Sequence, residues 1–243
     1  MLASDRRTAR IVGWFFIGTF VFSIPGLLLY GPVLDNGAYI LSGGHDRQIA
    51  LGAFLEMLTA ICNIGTAVAL YRVGKRYNQT VSLGYVASRI VESTIIVAGI
   101  VSVLSVVTLR QDLAGSGTDA ATLTIAGRTL VAFHDWTFLL GPSFCAAIGN
   151  GVLLGYLMYR SGLIPRRFAA LGLVGGSLAF VAATGALFGV YDQNSAPQFL
   201  LTVPEIVWEA SFGLYLVLKG FKPTTLRSET PRPIDAARAP AIA

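Results

Sequence analysis

Charge is what this 243-residue chain has least of: only 13% of its residues are Asp, Glu, Lys or Arg, against roughly 25% in soluble domains. That excludes a water-solvated globule of ordinary composition. Cysteine and histidine number two each, and they show neither paired-cysteine spacing nor an H-E-x-x-H pattern, so no metal site and no disulfide framework is expected. Cys62 and Cys145 lie inside apolar stretches and read as small buried side chains. Also missing are a phosphate-cradling glycine loop, a G-x-S-x-G elbow and a dinucleotide fingerprint between strand and helix, and no cofactor is expected. The net charge of +5 does not point to nucleic acid, because the basic residues form no stripe with interleaved aromatics.

What is present is apolar. Hydrophobic residues make up 54% of the chain and the mean hydropathy is +0.65. They fall in blocks of about 20 or more, the length a helix needs to cross a bilayer. The blocks predict six transmembrane helices at about 11–30, 49–71, 81–109, 127–159, 168–190 and 199–219, an all-α polytopic bundle. A segment in lipid must satisfy its own backbone hydrogen bonds, and these blocks are too uniformly apolar for the alternating strands of a membrane barrel. The third and fourth exceed the bilayer and should tilt or protrude on the outer side. Pro25, Pro142 and Pro204 fall inside or near the ends of helices, and Pro142 should kink the fourth near its middle. The first block follows Arg6, Arg7 and Arg10, but it is longer than a signal's apolar region and no small-x-small pattern closes it, so it is expected to remain as a span.

Fourteen of the 18 basic residues fall in the amino-terminal segment, the 72–80 and 160–167 connections and the carboxyl tail; the others are Arg47, Arg89, Arg110 and Arg128. The positive-inside rule then places both termini in the cytoplasm, in a multi-pass protein of the inner (plasma) membrane whose first partner is the lipid bilayer. The expected organisation is a cytoplasmic segment over 1–10, a transmembrane domain over 11–220 and a disordered cytoplasmic tail over 221–243, carrying Pro223, Pro231 and Pro233. Gly151 with Gly155, Gly172 with Gly176 and Gly185 with Gly189 have small-xxx-small spacing, which serves packing inside the bundle or, as the sharper alternative, a homo-oligomer.

The chemistry must lie with the ionisable residues left inside the apolar blocks: Glu56, Arg89, Glu92, His134, Asp135, Glu205 and Glu209. A central charge in lipid costs roughly 2.5–3.5 kcal/mol on insertion scales, so these side chains should face the interior and find partners there. Arg89 and Glu92 are three apart, Glu205 and Glu209 four apart, and Glu56 and Asn63 seven apart, so each set shares a helix face. Their heights converge near and just outside mid-membrane. Five carboxylates beside one guanidinium cannot all be ionised and dry, so some hold a proton, bind a cation or meet water in an outward-opening cavity.

The stretches RRTARIVGWFFI, VASRIVEST, FHDWTFLLGPSF, LLGYLMYRSGLIPRRFAALGLVGG and PEIVWEASFGLYLVLKGF resemble the bacterial membrane family catalogued as domain of unknown function 4386, from residue 6 to about 222. The resemblance implies a multi-pass inner-membrane protein and no assigned activity. It also implies that Arg89 with Glu92, His134, the SGLIPRR turn and Glu209 are family features. Three functions stay open: a small transporter or transport-associated subunit for a proton, cation or small solute; a membrane-embedded hydrolase or lipid-modifying enzyme using His134 with Asp135 or Glu56; and a structural or sensory component. In the metal-dependent form of the second, His45 would have to fold over from the first outer loop.

Overall fold

A computed structural model describes residues 3–36, 38–42, 44–113, 117–193 and 195–223; the expected disorder of the tail beyond 223 lies outside the described residues. Six helices are long and apolar enough to cross a membrane: Asp5–Leu29, Asp46–Gly74, Gln79–Leu113, Ala120–Ser161, Arg166–Leu187 and Ala196–Leu218. Each agrees with an expected block. The first is the body of α1 (Ala3–Leu29), which runs unbroken through Pro25. A connection carrying two single-turn helices, α2 (Gly31–Leu34) and α3 (Tyr39–Ser42), leads to α4 (Asp46–Gly74). Neither short helix was legible in the sequence. α5 (Gln79–Leu113) follows, and then the fourth span, which opens as α6 (Ala120–Phe138).

The fourth span begins seven residues before the expected 127, because Asp119 accepts a hydrogen bond from the Thr122 amide at 3.1 Å and starts the helix within a polar stretch. Pro142 produces wide turns rather than a simple kink. Leu139–Cys145 and Ala147–Leu154 are π-helical, and the span ends as α7 (Gly155–Ser161). Proline has no N–H to give and its ring clashes with the preceding turn, so a widened turn relieves the conflict. Gly162, with φ of +67°, closes α7, and Pro165 then caps α8 (Arg166–Leu187), so the S-G-L-I-P stretch makes a tight reversal. α9 (Ala196–Leu218) completes the chain.

The six spans form a ring in sequence order: each packs on its predecessor, and α9 returns to pack on α1. The start of α1, the 72–80 turn, the 161–165 turn and the segment after α9 meet at one end. There Arg76 pairs with Asp5 at 3.1 Å and the Lys222 amide donates to the Leu163 carbonyl at 2.7 Å. We call this the terminal end and the opposite one the loop end. α5, at 35 residues, is about 50 Å long at 1.5 Å per residue and overshoots a hydrocarbon core of about 30 Å. At the loop end Asp46 ties α4 to this overhang through Arg110 and, at 2.8 Å, Gln111. Tyr39 donates to the same carboxylate at 2.8 Å; burial first, then that bond, pushes its phenol up to about 12, so it stays a donor.

Two apolar layers sandwich a polar middle. At the terminal end Phe16, Leu70, Tyr85, Leu154, Trp208 and Phe212 form a closed core. Toward the loop end Tyr30, Ile40, Ile49, Ile100 and Val103 form a second core on the α4, α5 and α6 side.

Lipid gives separated helices no hydrophobic penalty, so close packing must hold them together. Two of the three glycine pairs are used inside the bundle, where Gly151 lies on Gly176, Gly155 on Leu173, and Gly172 under the Trp208 ring; of the third, Gly185 lies against Tyr191 and Gly189, with φ of +69°, falls in the turn after α8. A Cβ on Gly176 would run into the Gly151 backbone and sit 2.7 Å from the Ala147 carbonyl oxygen. Gly176→Val is therefore expected to force the fourth span and α8 apart and lower stability by about 1–3 kcal/mol. Unfolding of the purified variant in mixed micelles reads this; a stability equal to that of the parent would show that the backbones separate freely.

Candidate functional site

The polar middle is built from one face of each of several helices. On α4, Glu56, Thr59 and Asn63 recur at helical spacing and all are buried. On α5, Arg89 and Glu92 sit one turn apart; on α9, Glu205 and Glu209 do the same, with Glu205 4% exposed. Their other faces are apolar and lie on the bundle's outer surface, as with Val91, Ile90 and Val207. The placement of these polar residues on one face of each helix thus turns the charges of α4, α5 and α9 inward.

Arg89, 2% exposed, is the electrostatic centre. One guanidinium nitrogen donates to Glu92 Oε2 at 2.6 Å. The other terminal nitrogen donates to Asn63 Oδ1. Asn63 Nδ2 closes the triangle by donating to Glu92 Oε1 at 3.1 Å. Both Glu92 oxygens are held, while Arg89 Nε has no partner among the described residues. Across the site, Asn150 Nδ2 donates to Glu209 Oε1 at 2.6 Å. The neighbouring Trp208 Nε1 donates to the Asn150 carbonyl at 3.0 Å and ties α9 to the wide-turned span.

Glu205 is different. Both its oxygens are buried and, among the described residues, neither has a hydrogen-bond partner. An ionised carboxylate left bare in a low-dielectric interior is prohibitive, so Glu205 needs a proton, a cation or water from the space beside it.

These groups line one cavity of about 250 Å³, into which Glu56, Arg89, Glu92, Glu205 and Glu209 all face. Its other walls are Phe20, Ser23, Ile24 and Leu27 of α1, Ile96 of α5, Phe138, Pro142 and Ser143 of the fourth span, and Thr202 and Ile206 of α9. All lie in the middle and loop-end half of their helices; toward the terminal end the Phe16, Tyr85 and Phe212 core closes the bundle.

The structure therefore brings together five of the seven residues expected to cluster. His134 stands beside them: it and Glu56 line a small void of about 10 Å³ that also touches Phe138 and Pro142. Its ring lies edge-on to Tyr30, centroids 5.8 Å apart. On its far side His134 borders a loop-end hollow of about 600 Å³, shared with Asp35 and Asp135. Asp135 faces that hollow with its side chain 53% exposed, because the residue after an inward-facing one on a helix points away. The His134 Nδ1 to Asp135 Oδ1 distance of 3.6 Å is too long for a hydrogen bond. His45 is exposed at the start of α4 and lines a separate hollow with Arg47 and Arg110. Among the described residues no three His, Cys, Asp or Glu side chains converge closely enough to share a metal ion.

Sequence reasoning missed Asn150, which orients Glu209. Its signal was an amide within the apolar run from Ala146 to Leu154, the same kind of clue that picked out Asn63. Tyr30 carried no such mark, since aromatic residues are ordinary at a span's end.

The family model described as "Domain of unknown function (DUF4386)" matches residues 11–220, so the chain belongs to that family. No curated protein and no solved structure matches it.

Proposed function

We propose that this multi-pass member of the family is a small transporter, or a transport-associated subunit, for a cation or protonated small solute. The observation that carries the reading is Glu205, a buried carboxylate without a partner on the wall of a cavity that holds three more carboxylates and one guanidinium. With Arg89 matched by Glu92, Glu56, Glu205 and Glu209 remain as acceptors for positive charge.

The shape supports the same reading. A cavity with charged groups at its depth in one half of a bundle, above a packed apolar core in the other half, resembles one state of an alternating-access cycle. In the orientation set by the basic connections the cavity faces the periplasm. From the loop-end hollow, with Asp35 and Asp135, a cation would pass His134 and reach Glu56, which borders both the small void beside His134 and the cavity.

Proteoliposomes test this with two probes: radiolabelled tetramethylammonium, which does not cross lipid unaided, and an internal pH dye. Flux of at least one above that of protein-free vesicles is expected, lowered ten-fold or more in Glu205→Gln. That variant keeps the volume and removes the charge. Absence of flux for both probes, or flux indifferent to Glu205→Gln, would set the reading aside.

A further inference from the structure

The cavity's walls narrow the ligand class further. We propose that it takes an organic ammonium with an apolar body, its charged head at Glu205 and its tail leaving sideways between α1 and α9 into the bilayer. This rests on the cation-binding reading above and adds the chemistry and the route.

Three observations carry it. First, the carboxylates are spread around about 250 Å³, a space of roughly eight waters at 30 Å³ each. A bare ion would touch one wall at a time, consistent with the lack of three converging ligands among the described residues. An ammonium carrying carbon would fill the space and meet Glu205 and Glu209 on α9 from a single position.

Second, the cavity is polar only at depth. Toward its rim it is lined by Phe20, Ile24 and Leu27 from α1 and Ile206 from α9. Phe20 and Phe138 present rings that attract a cation and accept aliphatic carbon.

Third, the rim reaches the lipid-facing surface. Ile24 is 56% and Ile206 39% exposed, yet both also line the cavity. The two helices approach closely near the terminal end, where a Cβ on Gly13 would sit 2.7 Å from the Gly213 carbonyl oxygen. In the loop-end half both helices contribute apolar side chains to the cavity wall, Phe20, Ile24 and Leu27 from α1 and Ile206 from α9. A head group that needs a carboxylate and a tail that needs hydrocarbon are then both satisfied without the molecule leaving the membrane.

The test is binding to the full chain in dodecylmaltoside, followed by equilibrium dialysis with four labelled probes: decylammonium, ethylammonium, decanol and decanoate. Decylammonium is expected to bind saturably, at least ten-fold more tightly than the other three. Glu205→Gln should weaken it ten-fold or more. Ile206→Trp, which blocks the seam, should weaken decylammonium ten-fold while leaving ethylammonium within two-fold. Equal affinity for decylammonium and ethylammonium, both dependent on Glu205, would overturn this inference and leave the cation reading standing. Binding of decanol as tight as that of decylammonium would overturn it as well, and binding of neither amine would overturn both.

Discussion

Arg89→Leu is expected to destabilise the folded protein by about 3–5 kcal/mol, the range for removing one member of a buried ion pair. Arg89 neutralises Glu92 at 2.6 Å and holds the Asn63 amide oxygen, and all three side chains are buried. Leucine would leave Glu92 with only the 3.1 Å bond from Asn63, and Asn63 without a donor to its oxygen. Glu92→Leu alone should cost nearly as much for the converse reason. The double variant, Arg89→Leu with Glu92→Leu, should recover most of the loss, because an apolar pair of similar volume needs no desolvation. As a contrast, Arg76→Ala removes the 3.1 Å pair with Asp5, in which the Arg76 side chain is 37% exposed. It should cost under about 1 kcal/mol. Unfolding in mixed micelles measures all four. If the two single variants were each within 1 kcal/mol of the parent, the triangle would not be an electrostatic centre of the fold.

The same triangle shows how far the sequence could be read. Arg89 and Glu92 share a face by spacing alone, and lipid forces that face inward, so their shared inward position was legible in the sequence, while the choice of Glu92 as the partner of Arg89 was not. The six spans were legible for a related reason: hydrocarbon admits helices of one minimum length and little else. Asp135 shows where the argument weakens. Adjacent residues on a helix point about 100° apart, so His134 and Asp135 could not both face the cavity, and only the position of the neighbouring helices decides which one does. The wide turns after Leu139 were hidden for a different reason. Proline announces a break in hydrogen bonding, but whether the helix kinks or widens depends on what packs against it, here the α5 and α8 contacts on both sides of the turn. The lone state of Glu205 was beyond reach from sequence, since a missing partner is a property of three-dimensional neighbours.

Truncating Phe212 is the second large effect, and it should separate stability from permeability. Phe212 is fully buried beneath the cavity, edge-on to Phe16 at 5.2 Å and stacked on Trp208 at 4.8 Å. Phe→Ala in a packed core costs about 3–5 kcal/mol. Lipid is itself apolar, so the loss here is of packing rather than of shelter from water, and the lower end, about 3 kcal/mol, is expected for Phe212→Ala. Phe16→Ala with Phe212→Ala should cost less than the sum of the two, since they share the edge contact. The void left behind would be walled by Leu216, Phe16 and Trp208, and apolar voids stay dry. Proton leak through vesicles carrying Phe212→Ala should therefore match that of the parent even as the unfolding midpoint falls. Phe212→Asn would place a hydrogen-bonding group in that space, and leak should then rise. A leak in Phe212→Ala itself, or unchanged stability, would mean that the terminal-end core does not seal the cavity by dry packing.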